Sequence, residues 1–371
     1  MPGVVKSRFI QLGREAVAGT EVDATTLYRG SATWTDETEV TFVEENVGYL
    51  SGVDRTYIAK KSSLAEFDDH EATFEQMLYW LDGGIDGTVT GTNSGSGYIY
   101  TYVMPELATD SQTPATYTIE MGDSQAEEQA VGCIVEEFTI SGAPDEPLKI
   151  SGSWRGQQLA AGTRTAGLSG TLPTVEEIMF NKGKLYISTG ATYGSQLTGT
   201  WVGFNLNVKT GWIYYSTGDG NLYPTARKNV GSEVTCEITF EHDANAVTER
   251  AAFRAQTHRN VHMIFEGNAL TTPGDYTYKT FVINLQGKYE DFSGFDDQDG
   301  DNVVTGTLRC RYNSTSQKFV DFVLVNEIAS LTPSASTSPS GSTSPSTSVS
   351  PSLSPSASAS ASSSPSASPS T

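Results

Sequence analysis

Across 371 residues, 44 acidic side chains stand against only 23 basic ones, a formal charge of −21. A surface of that sign repels phosphate backbones and anionic lipid headgroups, which argues against ordinary nucleic-acid binding and against docking on acidic membranes. Apolar residues make up only 37%, but much of the shortfall sits in the last stretch of Ser, Pro, Ala and Thr; without it, about 330 residues remain, enough for two cores.

Taken in chain order, residues 1–19 carry no apolar core of signal-peptide length, and no apolar run anywhere is long enough to span a bilayer. A strand at 40–44 leads into a polar loop at 45–61, then a short strand at 63–67. Phe74, Met77, Leu78 and Leu81 share one face at helical spacing, so a helix is expected over 73–81. Thr73 with Gln76 would form its capping box, and Gly83 with Gly84 would end it. Strands follow at 98–103 and 116–120, then a hairpin of 133–140 with 148–157.

The second half repeats that order. A strand at 211–215, a polar loop at 216–231 and a strand at 233–241 precede a weaker helix at 246–256. Strands at 260–265 and 276–285 and a closing hairpin of 303–312 with 318–326 complete it. Alternation such as Val234, Cys236, Ile238 and Phe240 against Glu233, Thr235, Glu237 and Thr239 marks strands with one buried and one wetter face. The same reading applies to Phe281, Ile283 and Leu285 against Val282, Asn284 and Gln286. The expectation is a mainly β protein of two like domains, 1–160 and 174–328, each with one flanking helix, joined by a linker at 161–173. Residues 329–371 hold no charge and too little apolar surface to offset chain entropy, so they should be a disordered brush.

The search for chemistry returns nothing. Cys133, Cys236 and Cys310 are odd in number, lack metal-ligand spacing and sit in strand-like stretches, as small core residues do in a protein made in a reducing cytoplasm. His258 and His262 are four apart but fall on different elements and read as structural. In the acidic turn Asp296, Asp297, Asp299 and Asp301, counting from Gly300 puts Phe295 and Gly306 where a calcium loop needs carboxylates, so a solvated turn is favoured. Adjacent acids such as Glu136 and Glu137 point to opposite faces of a strand and cannot flank one glycosidic bond. No phosphate loop, nucleophile elbow or zinc helix occurs, and no cofactor is implied.

The opening Phe9-Ile10-Gln11-Leu12-Gly13-Arg14-Glu15, running on to Gly19-Thr20, together with Ser62-Ser63-Leu64-Ala65-Glu66-Phe67 and the helix that follows, resembles the tail tube proteins of long, flexible-tailed bacteriophages. Val131-Gly132-Cys133, Leu148 through Trp154, and the closing segments at 304–308 and 322–326 are similar to that family too, so the likeness runs through most of residues 5–328. It implies β-sandwich domains with a flanking helix, no catalytic residues, and a virion protein whose subunits form stacked rings around a DNA path. Its partners would be itself and other tail proteins: tape measure, tail terminator and distal tail proteins. With two like domains per chain, a ring of three chains would have pseudo-six-fold symmetry. An acidic bore would let DNA slide without specific binding, with Glu136, Glu137, Asp145, Glu146, Asp299 and Asp301 as lumen candidates. The loop at 45–61, with Gly48, Gly52, Asp54, Arg55, Lys60 and Lys61, would reach the adjacent ring. A tail terminator, a decoration protein, or a surface adhesin or carbohydrate-binding module stays open as an alternative.

Overall fold

The computed structural model describes residues 7–50, 52–107, 110–168, 172–190, 193–298, 300–314 and 317–331. The Ser/Pro-rich tail, expected to be a disordered brush, lies outside the described residues from 332 onward.

The protein is mainly β. In the first half the elements are β1 (Phe9–Arg14), β2 (Thr26–Leu27), β3 (Ala32–Asp36), β4 (Glu39–Glu44), β5 (Val53–Lys60), β6 (Ser63–Glu71), α1 (Met77–Gly84), β7 (Thr92–Ser94), β8 (Gly97–Val103), β9 (Tyr117–Gly122), β10 (Glu127–Gly142), β11 (Lys149–Gly156) and β12 (Leu159–Ala161). The second half holds β13 (Gly183–Ser188), β14 (Gln196–Leu197), β15 (Trp201–Lys209), β16 (Trp212–Tyr215), β17 (Ala226–Asn229), β18 (Glu233–Glu241) and α2 (Ala244–Ala255). It ends with β19 (Arg259–Ala269), β20 (Tyr278–Phe292), β21 (Asp296–Gln298), β22 (Asp301–Cys310) and β23 (Val320–Asn326).

Antiparallel ladders run through both halves in the same order. One half reads β1–β9–β10–β11–β6–β3, the other β13–β19–β20–β22–β18–β15. A bulge recurs at the same place, between Val135 and Glu137 in β10 and between Tyr289 and Asp291 in β20. The two halves are hydrogen-bonded to each other through β10 and β15, and again through β8 and β23. The regions expected as separate domains therefore share one connected sheet and one core, within a single compact unit. The start of the expected linker is tied down as well: Ala161 pairs with Glu128, and Thr165 bonds Glu120 through its N–H at 2.8 Å and its hydroxyl at 2.6 Å.

Alternation explains the core. Strands β3, β6, β11, β10, β15, β18, β22 and the end of β20 lie side by side. On one face Phe67, Phe138, Trp154, Leu206, Ile238 and Leu308 are buried. Helix α1 packs against β10, and α2 against β20 and β22. Trp80 of α1 meets Trp154 edge-on at 5.5 Å and Phe138 at 6.2 Å.

Helix α1 begins one turn later than its apolar spacing suggests, yet the Thr73 hydroxyl does accept the Gln76 N–H at 3.1 Å. Gly83 and Gly84 belong to its last turn rather than stopping it. A Cβ on Gly83 would sit 2.8 Å from the Trp154 ring and one on Gly84 3.2 Å from Val135, so these glycines allow close approach of helix to sheet. For α2, Asp243 accepts the Asn245 and Ala246 N–H groups at 2.8 and 2.9 Å, and Gln256 ends the helix in the left-handed region at φ 51°.

Three local expectations are corrected. The polar stretches 45–61 and 216–231 each contain a strand: β5 pairs with β4 and β17 with β16, as two-stranded hairpins outside the main sheet. Every residue of β5 is exposed, so no face had to be apolar and no alternation marks the strand. The closing hairpin of 303–312 with 318–326 does not form; β22 and β23 both pair with β20 instead. Finally, β20 is buried on both faces, because Asn284 and Gln286 face inward beside Val282. Asn284 donates to Asp321 Oδ2 at 2.5 Å and also contacts His262, which stacks on Tyr193 at 3.5 Å.

Candidate functional site

The face of the eight-stranded sheet opposite the core is laid out in cross-strand rows. One row reads Thr33, Glu66, Ser153, Glu137, Lys209, Glu233. The next reads Ser151, Thr139, Asn207, Thr235, Arg309, and the third Ser141, Asn205, Glu237, Thr307, Asp291. Short hydroxyl and amide side chains alternate with carboxylates, and no large apolar residue interrupts these rows. Neighbours bond laterally: Asn207 Nδ2 donates to Thr139 Oγ1 at 3.1 Å, and the Thr239 and Thr305 hydroxyls lie 3.1 Å apart.

The charge on this face is partly compensated. Arg309 pairs with Glu233 at 2.7 Å and Glu290 at 3.4 Å, while Arg155 pairs with Glu136 at 2.5 Å and with Glu37. Glu66, Glu137, Glu237 and Asp291 are exposed and have no ion pair among the described residues. Of the acids singled out from sequence, Glu137 faces outward in this array and Glu136 is held by Arg155. Asp145 and Glu146 are exposed in the turn after β10, where Asp145 accepts from Asn181 Nδ2 at 2.7 Å and Glu146 meets Lys149 at 2.9 Å. Asp301 begins β22 opposite Gln298, and Asp299 is outside the described residues. Glu66, Glu237 and Asp291 were missed; their alternation with buried Phe67, Ile238 and Phe292 was the available signal.

The second feature is the β4–β5 hairpin. Val40 pairs with Ile58 and Phe42 with Thr56. Phe42 is 65% exposed, Tyr49 70% and Tyr57 55%. Gly48 and Gly52 adopt φ 82° and 65° in the connecting turn. Asp54, Arg55 and Lys60 lie on β5 and Lys61 just beyond it, with Arg55 Nε 3.0 Å from Glu45. The Lys61 N–H donates to the Leu222 carbonyl at 2.9 Å, joining the base of this hairpin to the loop of the β16–β17 hairpin.

No cluster of three or more metal-ligating side chains occurs among the described residues, and no helix there is long and apolar enough to cross a membrane. The three cysteines are free and buried, and burial pushes each thiol up.

Over residues 7–343 the chain matches the family model described as phage tail tube protein. The chain belongs to the phage tail tube protein family. No curated protein sequence matches it. Tail tube proteins are structural components of the phage tail, so the chain is a virion protein and not an enzyme.

The opening residues of this tail tube chain act as internal fasteners. Arg14 holds Asp82 of α1 through Nε at 2.8 Å and Nη2 at 3.2 Å, and also bonds the Gly87 carbonyl. The Tyr117 hydroxyl donates to the same carboxylate at 2.6 Å. Burial pushes the Asp82 carboxyl up, and Arg14 offsets part of that. The Glu15 carboxylate accepts N–H bonds from Gly19 and Gly132, both at 2.7 Å, and the Thr118 hydroxyl at 3.0 Å. These residues bind strand, loop and helix together, which accounts for a sequence signature without catalytic chemistry.

Proposed function

We propose that copies of this chain form stacked rings that make the tail tube, with the polar face of the eight-stranded sheet lining a bore for DNA. The observation that carries this reading is the continuity of that face: both halves contribute four strands each, with the same ladder order and the same polar lining. A lining of hydroxyls, amides and unpaired carboxylates offers DNA phosphates no cationic row to bind, and excess negative charge keeps them off the wall. The repeated order supports two tube-type units per chain, and so a ring of three chains with pseudo-six-fold symmetry. The β4–β5 hairpin, which carries exposed Phe42, Tyr49 and Tyr57 among charged residues and is unsupported by a core of its own, is assigned to contact between rings, with tape measure, terminator and distal tail proteins at the tube ends. Electron microscopy of the purified full chain tests this: stacked rings with a central bore and three chains per ring are expected. Six chains per ring would sink the symmetry, and monomers at high concentration would count against the assembly itself.

A further inference from the structure

The two ends of the strands that make the polar face differ in charge. At one end lie the exit of β6, the turn after β10 and the β20–β22 connection. There Lys149 stands opposite both Ser141 and Glu71, and Val303 opposite both Glu241 and Asp296. At the other end Ser63 faces Gly156, Lys209 faces Glu233 and Arg309 faces Lys288. Both hairpins leave from this second end, β4–β5 between β3 and β6, and β16–β17 between β15 and β18.

The first end is acidic in both halves. Asp69, Glu71, Asp145, Asp296, Asp297 and Asp301 are exposed there, and none is in an ion pair among the described residues. Lys149 beside them is taken by Glu146 at 2.9 Å.

At the other end the second half has cations left over. Arg309 holds Glu233 at 2.7 Å and Glu290 at 3.4 Å. Lys228 and Arg311 are exposed and Lys288 is half-buried, and none of these three is in an ion pair among the described residues. Across residues 211–232 Arg227 and Lys228 stand against Asp219 alone. The β16–β17 hairpin is also fixed to its own chain, since Trp212 is buried and the Tyr214 hydroxyl donates to the Gly132 carbonyl. The β4–β5 hairpin differs: its acids and cations nearly balance, and Phe42, Tyr49 and Leu50 are exposed on it.

Resting on the tube reading, we propose that this asymmetry sets the direction in which rings stack. The acidic strand ends of one ring face the β16–β17 hairpins and the Lys288–Arg311 surface of copies in the next ring. Strands of a closed barrel run ~35–45° from its axis, so their two ends form its two rims. Each ring then has one acidic rim and one rim with a basic patch from every chain. Head-to-tail stacking brings opposite signs together, whereas head-to-head stacking would set acids against acids. The two hairpins divide the contact: β4–β5 supplies apolar surface, and β16–β17 supplies the charge that orients the approaching ring.

Charge reversal in the full chain tests this. Lys228→Glu/Arg311→Glu reverses the basic patch, and Asp69→Lys/Asp301→Lys reverses one acid from each half at the opposite rim; all four side chains are exposed. Each pair should leave rings intact by electron microscopy and slow their stacking, followed by light scattering, on the order of tenfold. Joining the four substitutions in one chain inverts both rims and should restore stacking, which a folding defect would not allow. The unsubstituted chain supplies a second measurement. Its stacking should slow by a similar factor between ~0.1 M and ~1 M salt, as the screening length falls from ~10 to ~3 Å. Stacking indifferent to salt, or a combined variant no faster than either pair, overturns the charge pairing and leaves the tube reading intact. Failure of the unsubstituted chain to form rings overturns the tube reading, and this proposal with it.

Discussion

Replacing Asp82 with alanine should be among the most damaging single changes in this protein. The Arg14 and Asp82 side chains are 16% and 2% exposed, and the Tyr117 hydroxyl on the same carboxylate is buried. Removing the carboxylate leaves a guanidinium without its counter-charge and a hydroxyl without an acceptor, while the Gly87 carbonyl remains as Arg14's bond. Breaking a buried pair from one side costs roughly 3–5 kcal/mol, and the orphaned hydroxyl falls inside rather than on top of that range. With a urea m-value near or somewhat above ~3 kcal/mol/M, the unfolding midpoint should drop by ~1 M. Urea unfolding followed by tryptophan fluorescence reads this directly, because Trp80 and Trp154 pack beside the site. The pair Arg14→Met/Asp82→Leu should recover most of the loss, since burying two apolar groups carries no uncompensated charge. A loss below ~1 kcal/mol for Asp82→Ala, with the double variant no better, would show that the cluster is solvated and that this account of the opening motif is wrong.

Further tests address other parts of the fold. Gly83→Val should cost ~1–3 kcal/mol by forcing α1 off the Trp154 ring, and an unchanged melting temperature would show that the helix can shift freely. His70 accepts from the Tyr28 hydroxyl at 2.7 Å through Nε2 and donates from Nδ1 to the Asp68 carbonyl at 2.7 Å, and burial pushes its pKa down. The folded state therefore binds this proton less readily than the unfolded chain, and stability should fall as pH drops below ~6.5. His70→Gln should flatten that part of the stability–pH curve relative to the unsubstituted chain, and curves that stay parallel from pH 7 to 5 would remove His70 from the explanation. Replacing residues 42–57 by a short Gly/Ser turn should leave a folded monomer that does not stack, since the β4–β5 hairpin packs on no core of its own; normal tubes would make the hairpin a mere surface ornament. Glu66→Lys/Glu237→Lys should slow DNA release from reconstituted phage in low salt, and an unchanged ejection rate at low ionic strength would refute the repelling wall.

How much of this was readable beforehand depends on which residues had to be buried. Where a strand covers the core on one face only, as β18 does with Val234, Cys236, Ile238 and Phe240, alternation marked it in the sequence. Helix α1 was legible from the same cause, since it must turn Met77, Leu78 and Leu81 inward, and the Thr73 contact was written in its spacing. Helix α2, with a thin apolar stripe, was marked instead by the helix propensity of its Ala and Arg residues. The β4–β5 hairpin was only half legible, because a strand exposed on both faces obeys no pattern.

The lining of the polar face shows the same division. Alternation determined that Glu237 and Glu66 point away from the core, and composition determined that the chain carries excess negative charge. Which acids stand side by side was decided only by register, and register depends on bulges such as the one after Val135, which shift one strand against the next without any mark in the local sequence. Pairing partners were out of reach for the same reason: β23 looks like the partner of β22 along the chain, yet it lies on β20, where Phe322 and Leu324 can join the common core. The sequence by itself determined a β-rich chain, and the order of its predicted elements suggested two like halves. The tertiary structure decided that those halves share one sheet, because only there do β10 and β15 satisfy each other's edges, while β3 and the end of β20 are left with one ladder each.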